Sequence, residues 1–248
     1  MAQITLRKKI LMVCDFDLTI VDGDNSDTWL WKLLPDGKVP EPLTKRYSEH
    51  GSWNDYMGEV FQHMHSLKIT PQDIIECINQ MPFTAGMKEL LQYQSKADNI
   101  DLIVLSDANA VFINSRLEAA DLRQGVKKVI TNPSYFDNEG CLKIEHYHSH
   151  GCSSCPVNMC KRKILQAYIK QQKQDGVEYD HVCYAGDGSN DFCPSQSLGN
   201  QDVVFPRKGY ELVDIISLHK SEGKEFSPKV IPWNSGSTII EAVKTMLA

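Results

Sequence analysis

Asp15 and Asp17 stand two residues apart, directly after the apolar run Ile10-Leu11-Met12-Val13-Cys14. Like charges this close repel, and desolvation raises the cost. A cation between them offsets it, and a metal ion is the usual choice. The pattern recurs downstream, where His181-Val182-Cys183-Tyr184-Ala185 runs into Gly186-Asp187-Gly188-Ser189-Asn190-Asp191, and Leu102-Ile103-Val104-Leu105 runs into Ser106-Asp107. On a tightening strand end, residues i and i+2 both project into a cleft. One carboxylate there can attack phosphorus to give an acyl phosphate. The other can protonate the leaving oxygen and then take a proton from water. A phosphoryl group is anionic and would be repelled, so the chemistry needs a cation. Mg²⁺ suits hard oxygen ligands and keeps several waters. The expected ligands are Asp15, Asp17 and Asp187, with the metal as clamp and template. Asn190 and Asp191 are expected to orient its waters or neighbouring side chains.

Three apolar strands that each end in Asp imply a parallel sheet with an acidic site at its C-terminal edge, where open α/β sheets bind ligands. The first strand is expected at 10–14. Residues 21–27, rich in Asp, Asn, Ser and Gly, read as a loop. Segments 27–34 and 42–80 read as helical. Trp53, Met57, Val60, Phe61 and Met64 form an amphipathic stripe, and Thr70-Pro71 starts a helix as cap and first residue. Further on, the pattern predicts a helix at 84–94, a strand at 102–105, a helix at 109–120 and a strand near 126–131. A hairpin follows at 135–144 with a Gly-containing turn, then a helix at 159–175, a strand at 181–185 and a final short strand at 202–205. Helices complete the chain. Alternating strands and helices predict an α/β fold, a doubly wound Rossmann-like parallel sheet with a small helical cap inserted after the first strand. Residues 1–21 and 83–248 would form the core and 22–82 the cap, which would close over substrate and exclude water.

The chain has 248 residues, 42% hydrophobic and 23% charged, ordinary for a globular protein. Its net charge of −6 argues against nucleic acid as a partner. No apolar run reaches the length that spans a bilayer. Arg7, Lys8 and Lys9 precede only five apolar residues, too few for a signal peptide. An intracellular, cytoplasmic protein is therefore expected. Eight cysteines fit a reducing compartment, since Cys14 and Cys183 fall inside predicted strands. Oligomeric state is not readable.

Asp15-Phe16-Asp17-Leu18-Thr19, Ser106-Asp107-Ala108-Asn109, a later Lys, and Gly186-Asp187-Gly188-Ser189-Asn190-Asp191 resemble the four motifs of haloacid dehalogenase superfamily phosphatases. The resemblance implies that Asp15 is the nucleophile and Asp17 the acid/base, and that Ser106 and Lys161 hold phosphoryl oxygens. Lys161 is preferred to Lys163 because Lys161-Arg162-Lys163-Ile164-Leu165 matches a Lys-x-x-x-Leu helix start. With residues 22–29, 152–161 and 205–210, the chain further resembles the subfamily of phosphoethanolamine/phosphocholine and pyridoxal phosphate phosphatases. That resemblance implies that Asp27 and Asp107 contact substrate, a small phosphate ester.

Asp22, Asp24 and Asp27 near the cap hinge favour a cationic head group, to which a nearby Trp would add cation–π attraction. Trp29, Trp31 and Trp53 are otherwise expected in the core. Arg207 and Lys208 read as a solvated helix start. His148, His150, Cys152, Cys155 and Cys160 are zinc-compatible types, but a lone CxxC with an irregular third Cys is a weak signal, and a reduced structural loop is expected. A non-catalytic binding protein of the same fold is the competing class, disfavoured by the intact Asp15 and Asp17. A dehalogenase would not need Asp17. A nucleotide-binding dehydrogenase is dismissed because 186–191 is not GxGxxG.

Overall fold

The computed structural model describes residues 9–247, so Arg7 and Lys8 lie outside the described residues. The chain runs β1 (Ile10–Cys14), α1 (Ser26–Trp29), α2 (Glu41–His50), α3 (Trp53–Ser66), α4 (Pro71–Asn79), α5 (Met87–Ser95), β2 (Ile100–Asn109) and α6 (Ala110–Glu118). It continues through β3 (Lys128–Asn132), β4 (Ser134–Phe136), β5 (Leu142–Ile144), α7 (Lys161–Gln174), β6 (His181–Gly186), α8 (Phe192–Ser195) and β7 (Val203–Pro206). It ends with α9 (Glu211–Ser221), β8 (Lys229–Val230) and α10 (Gly236–Leu247).

Six strands form one sheet in the order β3-β2-β1-β6-β7-β8, with every pair parallel. Alternation along β1 feeds two cores. Ile10, Met12 and Cys14 face a cluster built with α5, α6 and α10, while Leu11 and Val13 face one built with α7 and α9. A strand buried on both faces must be apolar throughout, which is why 10–14 stood out in the sequence. The chain leaves β1 toward β2 on one side and reaches β6 on the other, so the strand order reverses beside β1. A crevice opens at such a reversal.

Several boundaries differ from the sequence expectation. The helical stretch 42–80 is three helices, broken at Gly51, which is left-handed at φ 72°, and around Lys68. Thr70 caps α4 reciprocally with Asp73, with Pro71 in the first turn, as the sequence indicated. Helix α5 starts three residues later than expected, because Gly86 takes φ 73° before it. The strand at 203–206 is not the last, since the two-residue β8 pairs beyond it.

The two ends of the segment 22–82 lie side by side. Val21 bridges Phe83, and the Asp22 backbone N–H donates to the Pro82 carbonyl at 2.8 Å. The insert is fastened elsewhere too. Phe61 of α3 meets Phe112 of α6 edge-on at 6.0 Å, and the Arg116 guanidinium donates to the Met81 carbonyl at 2.8 Å. Its stripe residues Met57, Val60, Phe61 and Met64 are buried in the same cluster as one face of the sheet.

Candidate active site

Register decides which residues meet. Cys14 pairs with Val104 on one side and Ala185 on the other. Asp15, Ser106 and Asp187 therefore arrive at one edge, within two residues of those pairs. After Asp15 the chain makes a single wide turn at Phe16–Ile20, with Leu18 left-handed at φ 52°. That conformation costs a non-glycine residue roughly 1–2 kcal/mol. Arg207 steadies the turn, donating to the Leu18 carbonyl and to Asp22 Oδ1. Arg207 is buried, so the solvated position expected of it is corrected, while Lys208 is exposed as expected. The partners of Arg207 are simply too distant in sequence to be read.

Asp15 Oδ2 accepts from Lys161 Nζ at 2.7 Å, and Lys161 also donates to Asp191 Oδ1 at 2.8 Å. The Lys161 side chain is 1% exposed. Burial alone would lower its pKa, but the Asp15, Asp191 and Asp107 carboxylates outweigh that and raise it. Asp191 is saturated. Its Oδ1 accepts from Lys161 and from the Tyr184 hydroxyl, and its Oδ2 from the backbone N–H groups of Asp187 and Gly188. A carboxylate has about four acceptor sites, so Asp191 orients its neighbours. Gly186 makes room for this, because a Cβ there would overlap the Asp191 carboxylate. Thr19 Oγ1 donates to Asp187 Oδ1 at 3.0 Å, and Asp187 lines the cleft.

Oxygens of Asp15, Asp187 and Asp191 lie within 4.8 Å of one another. Three carboxylates thus face one ammonium. Burial, then the Asp191 charge, pushes Asp15 upward despite Lys161. The same two causes push Asp187 up to about 7. A buried site short of positive charge and lined by carboxylate oxygens fits a hard divalent cation such as Mg²⁺.

Asp17 does not join this trio. Its carboxylate turns to Ser26, accepting from the backbone N–H and the hydroxyl, both at 2.9 Å. The carboxylates that cluster are those of Asp15, Asp187 and Asp191. Burial and then the Asp27 charge push Asp17 well above the usual carboxylate range, against the Ser26 hydrogen bonds.

Ser106 is buried, and its Oγ accepts from the Ala108 backbone N–H at 3.2 Å. Asp107 is half-buried, and Asn132 holds its carbonyl at 2.6 Å. A cleft of about 560 Å³ opens over these groups, lined by Asp15, Asp17, Asp27, Trp53, Asp107 and Asp187 among others. Asn190 also lines it. Asp27 Oδ2 accepts from Trp53 Nε1 at 2.7 Å, while the buried Oδ1 has no partner. Burial pushes Asp27 up to about 6, against the Trp53 hydrogen bond and with a further push from Asp107.

Trp53 packs against the core as expected, and being half-buried it also lines the cleft. Of the three hinge aspartates only Asp27 faces the cleft. Asp22 pairs with Arg207, and Asp24 accepts from Thr28. Ser26, Asn132, Asn158 and Tyr184 escaped the sequence reading, because isolated polar residues carry no spacing signal. Asn158 lines the cleft and donates to Asn132 at 3.3 Å.

The profile of a family described as Putative Phosphatase matches residues 10–247. The chain is 40% identical over 240 residues to pyridoxal phosphate phosphatase PHOSPHO2 of Homo sapiens, covering 96% of this chain and 99% of that one. It is 37% identical over 233 residues to the phosphoethanolamine/phosphocholine phosphatase of Homo sapiens, covering 93% and 86%. A phospho-aspartyl intermediate analogue of phosphoserine phosphatase superposes with a TM-score of 0.59 at 17% identity, covering 95% and 99%. A haloacid dehalogenase-like family protein of Streptococcus pneumoniae gives 0.55 at 11%, covering 95% and 98%. At those identities the likeness shows the fold, an α/β core of the haloacid dehalogenase type.

Proposed function

We propose, from the premise that this chain belongs to the Putative Phosphatase family and is a phosphomonoester hydrolase, that it hydrolyses small phosphate esters bearing a cationic nitrogen through an aspartyl-phosphate on Asp15. The observation that carries this reading is the buried Asp15, held by Lys161, in the lining of a cleft that Asp27 also lines, with one Asp27 carboxylate oxygen buried and unpartnered.

Lys161 orients the Asp15 carboxylate and, with Ser106, receives phosphoryl oxygens. Asp15 attacks phosphorus, and the bond to the ester oxygen breaks. Asp17, whose burial favours the protonated form, gives a proton to the leaving oxygen. It then takes one from the water that cleaves the acyl phosphate. Asp15 and Asp187 would hold Mg²⁺, with Asp191 and Asn190 orienting; when bound, it supplies neutralisation of the phosphoryl charge. Residues 22–82 act as the cap, contributing Asp27 and Trp53 to the cleft wall. Asp27 and Asp107 meet the cationic nitrogen, an ammonium in phosphoethanolamine or phosphocholine and a ring nitrogen in pyridoxal 5'-phosphate.

The test compares kcat/KM for these three esters and for glycerol phosphate, which lacks the cation, with Mg²⁺ and with chelator. Preference for the cationic esters is expected. Equal use of glycerol phosphate removes the amine reading, and no turnover of any ester removes the hydrolase mechanism.

A further inference from the structure

Residues 145–160 join β5 to α7 without regular secondary structure. Loops of this length inside a compact domain are uncommon and need something to order them. This one also matters, because Pro156 and Asn158 line the cleft and Lys161 follows it directly. At its centre, Cys152, Cys155 and Cys160 meet a fourth cysteine, Cys193, from α8, two residues beyond Asp191. The four sulfurs lie within 4.8 Å of one another. Three of the separations are 3.7 Å for Cys152–Cys155, 3.8 Å for Cys152–Cys193 and 3.6 Å for Cys155–Cys160. A tetrahedral zinc–thiolate centre with Zn–S near 2.3 Å has sulfur–sulfur edges of about 3.8 Å. A disulfide needs about 2.0 Å, and all four cysteines are free.

We propose that Cys152, Cys155, Cys160 and Cys193 form a structural Zn²⁺ site that clamps the segment carrying Lys161 to the segment carrying Asp191. The ligand set is four sulfurs, without histidine. His148 Nε2 faces the Cys160 backbone N–H at 3.2 Å, and His150 Nδ1 faces that of Cys152 at 3.2 Å. His150 Nε2 contacts the Pro156 carbonyl at 2.8 Å. Both rings brace the loop. The Ser154 backbone N–H donates to Cys152, and Arg162 Nη2 stands 3.8 Å from its sulfur. Four thiolates around Zn²⁺ leave two net negative charges, which Arg162 and the N-terminus of the 14-residue α7 partly offset. Four protein ligands close the shell, so the site holds structure and offers no open position for catalysis. Binding releases the thiol protons, and no oxidant is involved.

The experiment uses the full chain, without a metal-binding tag, expressed with added zinc. Elemental analysis after gel filtration should find close to one zinc per chain. Replacement by Co²⁺ should give thiolate-to-cobalt charge transfer and tetrahedral ligand-field bands, which carboxylates cannot give. Cys193→Ser and Cys155→Ser should lose the zinc and melt several degrees lower, while Cys77→Ser, in the insert, should keep it. The wild-type metal count and cobalt spectrum stand even if a variant fails to fold. Trace zinc with no charge-transfer band, or zinc undiminished in both ligand variants, would overturn the site. Because the readout is metal content and spectrum, it is independent of which ester is hydrolysed.

Discussion

Residues 160–161 and 191–193 each have a foot in two clusters, one of carboxylates and one of thiols. The carboxylate cluster carries its own counter-charge in Lys161 and borders the cleft through Asp15 and Asp187. The thiol cluster has Arg162 at its margin, and among the described residues none of its sulfurs lines the cleft. Hard oxygens beside an opening suit a cation that shares its shell with substrate and water. Soft sulfurs enclosed by their own chain suit a cation that never leaves. On the proposals above, two neighbouring ligand sets would divide the labour, one for exchange and one for fastening.

The sharpest way to break this comparison is to remove charge from the oxygen side alone. Asp15→Asn should lower kcat by roughly 10⁴-fold or more, measured as phosphate release, while zinc content stays unchanged. Turnover within tenfold of wild type in a folded variant would show that Asp15 is not the nucleophile.

Asp17→Asn separates the two aspartates of the turn. Alkyl phosphates, with poor leaving groups, should lose about 10²–10⁴-fold, and an activated aryl phosphate far less. Equal losses on both would count against proton donation to the leaving oxygen.

Chelation sharpens the hard–soft division. Brief EDTA treatment should lower activity roughly 100-fold, the effect of several kcal/mol of lost charge stabilisation. Mg²⁺ alone should restore it, and Ca²⁺ poorly, since its looser shell misplaces the attacking oxygen. Full activity after exhaustive chelation would contradict a metal at the carboxylates.

The smallest effect concerns Asp27. A charge-assisted contact contributes roughly 1.5–3 kcal/mol, so Asp27→Asn should raise KM for a cationic ester about tenfold or more and leave a neutral ester nearly unchanged. The pH dependence has a definite sign. Burial raises Asp27 to about 6, so it is neutral below that pH and charged above. KM for the cationic ester should fall as pH rises through about 6, and the Asn variant should lose that inflection. Stability runs the other way. A carboxyl whose folded pKa is raised contributes fully below its unfolded value, and that contribution fades as pH rises through about 6. The ligand-free Asn variant should therefore gain in Tm over wild type at pH 8. A KM profile flat across pH 5–7 for the cationic ester would remove Asp27 from the binding site.

The carboxylate side was legible in sequence because acid directly after a fully apolar run is physically expensive and stands out. Parallel register then carried Asp15, Ser106 and Asp187 to one edge. The thiol side was only half legible. Cys152, Cys155 and Cys160 lie close in sequence, but Cys193 sits in a short helix behind the acidic loop, and nothing in spacing ties it to the others. Asp191 was placed near the site but not at its centre, because a tight turn at Ser189–Asp191 folds its side chain back beneath Gly186. The second contact of Trp53, with the cleft, was hidden for a different reason. The residue is in phase with the buried stripe of α3, yet as the first residue of that helix it reaches the edge of the packed layer. Strand β8 has two residues, too few for any alternation to register.

The Trp53–Asp27 hydrogen bond carries a consequence for observation. The chain has four tryptophans. Trp29 donates to the Cys77 carbonyl and the buried Trp233 to that of Phe205, both away from the cleft, while Trp53 shares its indole N–H with a carboxyl that titrates near pH 6. Indole emission responds to the charge and hydration beside the ring. The protein therefore contains an optical probe of the proposal: ionisation of Asp27, or arrival of a cation against it, should register as a fluorescence change that Trp53→Phe removes.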